Sequence, residues 1–73
     1  MEKLLETYML VSRCWNNEQL ALQYDMTFGR AINLLRDVRQ QAGDKGYKLL
    51  ERRADALIND IVRRQVDTSE MIG

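Results

Sequence analysis

The stretch from Leu20 to Leu35 reads LALQYDMTFGRAINLL, and its apolar residues have the spacing of two short helices joined by a tight turn. The first helix is expected to bury Leu20, Ala21 and Tyr24. Met26 is expected to point inward from the turn, and Thr27 is expected to begin the second helix. Ala21 is small, and two helices that cross steeply need a small side chain where their axes approach. The pattern therefore predicts a helix-turn-helix unit that crosses at Ala21, where a leucine would hold the helices apart.

Helical segments lie on both sides of this unit. An apolar stripe predicts a first helix from Glu2 to about Arg13. Asn16 with Gln19 forms a capping box for the second helix, and Gly43 is expected to end the third helix in the left-handed conformation. The chain lacks proline, has four glycines and is 45% hydrophobic. Together these features predict an all-α domain of three to four helices.

The segment Gly43-Asp44-Lys45-Gly46 is the strongest turn signal in the chain, and two architectures fit the residues around it. In the first, residues 43–50 form a very short β wing. In the second, a long helix runs from about Gly46 to Gln65. The spacing of apolar residues favours the long helix, and these residues are Leu50, Ala54, Leu57 and Ile61.

Length and composition restrict the classes of protein. A chain of 73 residues has room for one small domain, which we place at residues 1–66, with a flexible tail at 67–73. The N-terminal apolar stretch is short and interrupted by charges, so neither a membrane span nor a signal peptide is expected. A single cysteine, Cys14, suits a reducing compartment. The expected location is therefore the cytoplasm.

The composition also argues against an enzyme. With one cysteine and no histidine, the chain has no disulfide framework, no common zinc pattern and no nucleophilic triad. Asp55 and Asp60 are five residues apart on a predicted helix, so these carboxylates do not share a face. We therefore predict no catalytic residues, no metal site and no cofactor.

The charges are balanced in number but unevenly distributed. Lys and Arg total 11, as do Asp and Glu. Residues 30–64 carry nine of the basic side chains against five acidic ones, whereas residues 1–29 carry two basic and four acidic ones. A local basic face can attract phosphate even when the whole chain is neutral. The alternative is a solvated helix surface with local ion pairs such as Asp60 with Arg64.

Leu20-Ala21, the turn at Asp25-Met26-Thr27, and Ala31 with Leu34 resemble the helix-turn-helix of small bacterial and phage regulators. The order of this unit, a Lys-Gly-Tyr segment and a basic amphipathic helix is also similar to small excisionase-like proteins of mobile elements. Asp25 stands where that pattern usually has glycine, although aspartate tolerates the left-handed conformation. A clear two-stranded wing is missing. The resemblance implies a DNA-binding regulator or architectural factor.

In such a protein the outer face of the third helix would enter the major groove. Arginine pairs with guanine and asparagine with adenine, so Arg30, Asn33 and Arg36 are candidates for base contacts. Phe28 has a second interpretation as an aromatic staple against the core. The full set of predicted DNA-binding residues combines this face with phosphate contacts: Thr27, Phe28, Gly29, Arg30, Asn33, Arg36, Lys45, Lys48, Arg52 and Arg53.

Three hypotheses follow from the sequence. The first is a protein that binds double-stranded DNA, as a homodimer or cooperative multimer because one small module buries little DNA surface. The second is a helical module that binds another protein, like a phage-encoded inhibitor or an antitoxin. The third is a dimer built on the last helix, which can coexist with either of the others, through Leu50, Leu57, Ile61 and Val62. A continuous basic surface would favour the first, and an exposed apolar patch including Phe28 and Ile32 would favour the second.

Overall fold

The computed structural model describes residues 2–72, with side chains over residues 2–66. These described residues form four helices: α1 (Glu2–Asn16), α2 (Glu18–Gln23), α3 (Phe28–Lys45) and α4 (Lys48–Ile72). The all-α prediction is confirmed. No strand occurs among the described residues, so the β wing considered for residues 43–50 is wrong and the long final helix is right.

The three long helices form a bundle in which α3 packs against both α1 and α4. The buried face of α3 consists of residues spaced four, three and four apart, which brings them to one side of a helix: Ala31, Leu35, Val38 and Ala42. Val38 and Ala42 cluster with Leu4 and Leu50, whereas Ala31 and Leu35 cluster with Val11 and Ile61. The two clusters make α3 antiparallel to both of its neighbours.

The dimer expected on the last helix is not compatible with this core. Leu50 is 3% exposed and Ile61 is fully buried within the same chain. Val62 is exposed, whereas Leu57 packs against the core. A surface built on these four residues would therefore have to open the bundle, because two of them already hold it together.

The start of α2 differs from the capping box predicted at Asn16. Asn16 is the last residue of α1, and its side-chain amide donates to the carbonyl of Ser12. Asn17 caps α2 instead, because its side-chain oxygen accepts from the amides of Gln19 and Leu20. The cap therefore lies one residue later than predicted, since α1 uses the first asparagine of the pair. The predicted cap of α3 is confirmed, because Thr27 accepts from the amide of Arg30 at 3.2 Å.

The end of α3 is also later than predicted. Gly43 is a helical residue, and α3 continues to Lys45. Gly46 takes the left-handed conformation, with φ 79°, and its amide donates toward the carbonyls of Ala42 and Gly43. Of the two glycines in the turn signal, only the second has the backbone that glycine tolerates best.

The C-terminal helix extends beyond its predicted end near Gln65. The backbone of α4 continues to Ile72. The side chains of residues 67–72, and residue 73 as a whole, lie outside the described part of the chain, so the predicted flexible tail stays a prediction. Among the helices that the structure describes, none combines the length and apolar composition needed to cross a lipid bilayer.

The helix-turn-helix region has the expected order but a different packing. Two helices joined by a turn occupy the expected positions, and Met26 is half-buried. However, α2 packs against α1. Within these two described helices, no Cα atom of α2 lies within 8 Å of a Cα atom of α3. Tyr24, expected in the core, is 44% exposed, and α2 has no fully buried residue. The close crossing predicted at Ala21 is therefore wrong.

Two glycine substitutions test the backbone assignments with opposite signs. Gly46→Ala should lower the free energy of unfolding by roughly 1 kcal/mol, because alanine is strained in the left-handed conformation. Gly29→Ala should raise it by roughly 0.5 to 1 kcal/mol, because the helical backbone suits alanine and nothing lies within 4 Å of the added Cβ. Urea denaturation of both variants measures the changes. Equal effects of the two substitutions would contradict the different backbone roles.

Candidate functional site

An open groove lies at the end of the bundle where α1 finishes and α3 begins. Its cavity volume is about 560 Å³. Its floor and walls are mainly apolar. The apolar lining residues come from α1, α2, the turn and α3: Val11, Cys14, Trp15, Ala21, Met26 and Phe28. We call this surface the end groove. It occupies the place where the sequence predicted a close crossing of two helices.

The turn between α2 and α3 keeps the end groove open. Tyr24 caps α2, and Asp25 follows with a positive φ of 52°, the left-handed conformation that aspartate tolerates. The amide of Met26 then donates to the carbonyl of Ala21 at 2.7 Å. This hydrogen bond folds the turn back onto α2. The third helix, α3, then begins at Phe28, directly after Thr27. Ala21 consequently faces open space instead of α3.

Aromatic rings form one wall of the end groove. The rings of Trp15 and Phe28 meet edge to face, with centroids 6.0 Å apart and planes at 65°. The guanidinium carbon of Arg64 lies 4.7 Å from the centroid of a Trp15 ring, which is the geometry of a cation–π contact. α1, α3 and α4 therefore meet at this wall. Phe28 packs in the way that its staple interpretation predicts, although it also remained a candidate for DNA contact.

The rim of the end groove is charged. Glu18 and Arg64 border it, and a second cavity of about 370 Å³ adjoins it and is also lined by Asp25. Leu22 lines this second cavity and is 82% exposed. The surface thus combines an apolar floor, two carboxylates, one guanidinium and a protruding leucine. Sequence reasoning missed it, although Leu22 was a signal because it is a large apolar residue outside the predicted buried positions of α2.

The predicted base-reading residues lie on the solvent side of α3. Arg30, Asn33 and Arg36 are exposed, as is Gly29. Asp37 also lies on this side and accepts a hydrogen bond from the side chain of Gln41 at 2.9 Å. The face therefore has mixed charge rather than a continuous basic character.

The remaining predicted DNA contacts fall into a separate group. Lys45, Lys48, Arg52 and Arg53 are exposed at the end of α3 and the start of α4. A helix rises about 1.5 Å per residue, so Thr27 and Lys45 are separated by about 27 Å along α3. The structure therefore arranges the predicted site residues as two groups, one along the first half of α3 and one around the turn between α3 and α4.

Acidic residues of α4 reduce the basic character between these two groups. Asp55 accepts from the guanidinium of Arg39 at 2.7 Å, and the carboxylate of Glu51 lies close to the position a Cβ would take on Gly43. Both partners of the Arg39–Asp55 pair are well exposed, at 39% and 50%, so its contribution to stability is small. The ion pair nevertheless balances the positive charge of Arg39, which lies between the two basic groups.

Comparisons with known proteins found no match. No family model matches the chain, and neither the search of curated proteins nor the search of solved structures found a similar protein. A function for this chain therefore has to be inferred from the groove, the charges and the exposed side chains described above.

Substitution of two alanines distinguishes the open groove from the packed core. Ala21→Leu should change the free energy of unfolding by less than about 0.5 kcal/mol, because the added atoms enter open space. Ala54→Leu should lower it by about 1 to 3 kcal/mol, because Ala54 is fully buried between α3 and α4. Urea denaturation measures both. A large loss of stability in Ala21→Leu would mean that α2 and α3 cross closely in solution.

Proposed function

We propose that this protein is a helical protein-binding module that holds an apolar side chain of its partner in the end groove. One observation carries the proposal: an open apolar groove walled by Trp15, Phe28 and Met26 lies beside Leu22, which is 82% exposed. Exposed apolar surface rimmed by charge is typical of protein interaction sites. The proposal belongs to the class of inhibitor-like and antitoxin-like modules, which act by binding and not by catalysis.

The chemistry of the end groove favours a particular kind of partner segment. A thioether and two aromatic rings accommodate aliphatic or aromatic side chains, and methionine adapts its shape to different guests. Glu18 and Asp25 at the rim favour lysine or arginine next to the inserted side chain. We therefore propose a partner segment with an apolar anchor and basic neighbours.

Trp15 is the single tryptophan of the chain, so its fluorescence reports on the end groove. Peptides selected from a random displayed library against the purified protein should contain an apolar anchor beside a basic residue. Their binding should shift the Trp15 emission. Ala21→Phe, which fills the groove, should weaken binding at least tenfold.

The control for this experiment is Leu5→Ala, which alters an exposed leucine at the other end of the bundle. Peptide affinity should be unchanged in that variant. Selection that yields no peptide, or peptides whose affinity is equal for the wild type and Ala21→Phe, would contradict the proposal.

DNA binding is the second candidate, and the exposure of Arg30, Asn33 and Arg36 on one side of α3 supports it. Arginine and asparagine in that arrangement suit base edges in the major groove. The presence of Asp37 on the same side and the pairing of Arg39 with Asp55 make it the weaker candidate. In this role the protein would be a regulator or an excisionase-like factor.

Fluorescence anisotropy with a random DNA duplex at low and moderate salt tests this second candidate. If the protein binds DNA through α3, the wild type should bind in a salt-sensitive way, and the double variant Arg30→Ala, Arg36→Ala should lose at least tenfold in affinity. Both arginines are exposed, so the variant should fold normally by circular dichroism. No binding at low salt would exclude this function.

A further inference from the structure

We infer that the end groove binds Leu49 of a second copy of this chain in an antiparallel two-fold dimer. This inference rests on the proposed function, because it requires the groove to accept an apolar side chain. Leu49 lies at the start of α4 and is 66% exposed, which is second to Leu22 among the described large apolar side chains. A leucine so exposed at the end of a bundle is the kind of anchor that the groove accommodates.

The surroundings of Leu49 complement those of the end groove in charge. Leu49 is flanked by basic side chains that are all exposed: Lys48, Arg52 and Arg53. The rim of the groove and of the cavity that adjoins it carries Glu18 and Asp25. Opposite charges around an apolar contact steer two surfaces together and fix their orientation. The acidic N-terminal part and the basic middle part of the sequence thus become the two halves of one contact.

Helix geometry relates Leu49 to the part of the groove rim that α4 contributes. Arg64 borders the end groove, and it lies 15 residues after Leu49 on α4. At 100° and 1.5 Å per residue, the two positions differ by roughly 60° around the helix and by about 22 Å along it. Leu49 and the rim of the groove at Arg64 therefore lie about 22 Å apart along α4 and on neighbouring faces of it.

A two-fold axis perpendicular to the bundle would use both surfaces of each copy. Rotation about that axis brings Leu49 of one copy to the end groove of the other, and the reverse contact forms at the same time. Two identical contacts close the assembly as a dimer. The largest extents of the molecule are 41 and 24 Å, which leaves room for the ~800 Å² per partner that a standard interface buries.

Sedimentation velocity over a wide range of protein concentration tests the inference. The wild type should change from monomer to dimer as concentration rises. Leu49→Asp and Ala21→Phe should each weaken the dimer at least tenfold, because one removes the anchor and the other fills its site. Val66→Asp is the control, because Val66 is 49% exposed but lies about 160° around α4 from Arg64. This control should dimerise like the wild type.

Charge reversal provides a second readout that does not depend on loss of apolar surface. Glu18→Lys and Arg53→Glu should each weaken the dimer, because each places like charges at the contact. The double variant should recover most of the wild-type affinity, because the pair is restored with its signs exchanged. Failure of the double variant to recover would overturn the inferred contact.

The remaining outcomes separate this inference from the proposed function. A monomer at every concentration that still binds selected peptides in the groove would overturn the dimer and leave the proposed function standing. A monomer that binds no peptide would overturn both. Self-association that is unaffected by Leu49→Asp and Ala21→Phe, or that grows into species larger than a dimer, would also overturn the two-fold arrangement.

Discussion

The buried stripe of α3 is the constraint on which the rest of the structure depends. Leu35 and Val38 are fully buried, and residues of both α1 and α4 pack around them. Because α1 and α4 both pack mainly on this central helix, removal of its buried apolar side chains would leave neither helix with a comparable packing surface. Ala42 and Ala54 are fully buried alanines in the same interior, and their small side chains let the helix axes of α3 and α4 approach.

The end groove follows from the same arrangement, because α2 is too short to complete the bundle. Six residues form less than two helical turns. The left-handed residue Asp25 then reverses the chain, so that α2 does not pack against α3. Trp15 and Phe28 therefore cover the end of the core without closing it. The surface that we propose for binding is thus the part of the interior that the fourth helix of a regular bundle would have covered.

The same geometry separates the acidic and the basic side chains into two surfaces. The acidic side chains Glu18 and Asp25 and the basic group around Leu49 are distant in sequence and lie toward opposite ends of the bundle. A chain with no net charge can in this way carry two complementary surfaces. Both the partner segment proposed for the groove and the inferred dimer depend on this separation rather than on the sum of the charges.

The sequence alone determined the three long helices, because apolar spacing is a local property. The stripes of α1, α3 and α4 and the cap at Thr27 were predictable from neighbouring residues. Local rules placed the α2 cap at Asn16 instead of Asn17, because they do not show that α1 continues through the first asparagine. They placed the end of α3 at Gly43 instead of Gly46, because they do not show which glycine takes the left-handed conformation. Only the tertiary structure decided that α2 packs on α1, because an alanine such as Ala21 suits both a close crossing and an open groove. It likewise placed the predicted basic residues in two groups, because helix length and direction, not spacing in sequence, set the distance between Arg30 and Lys48.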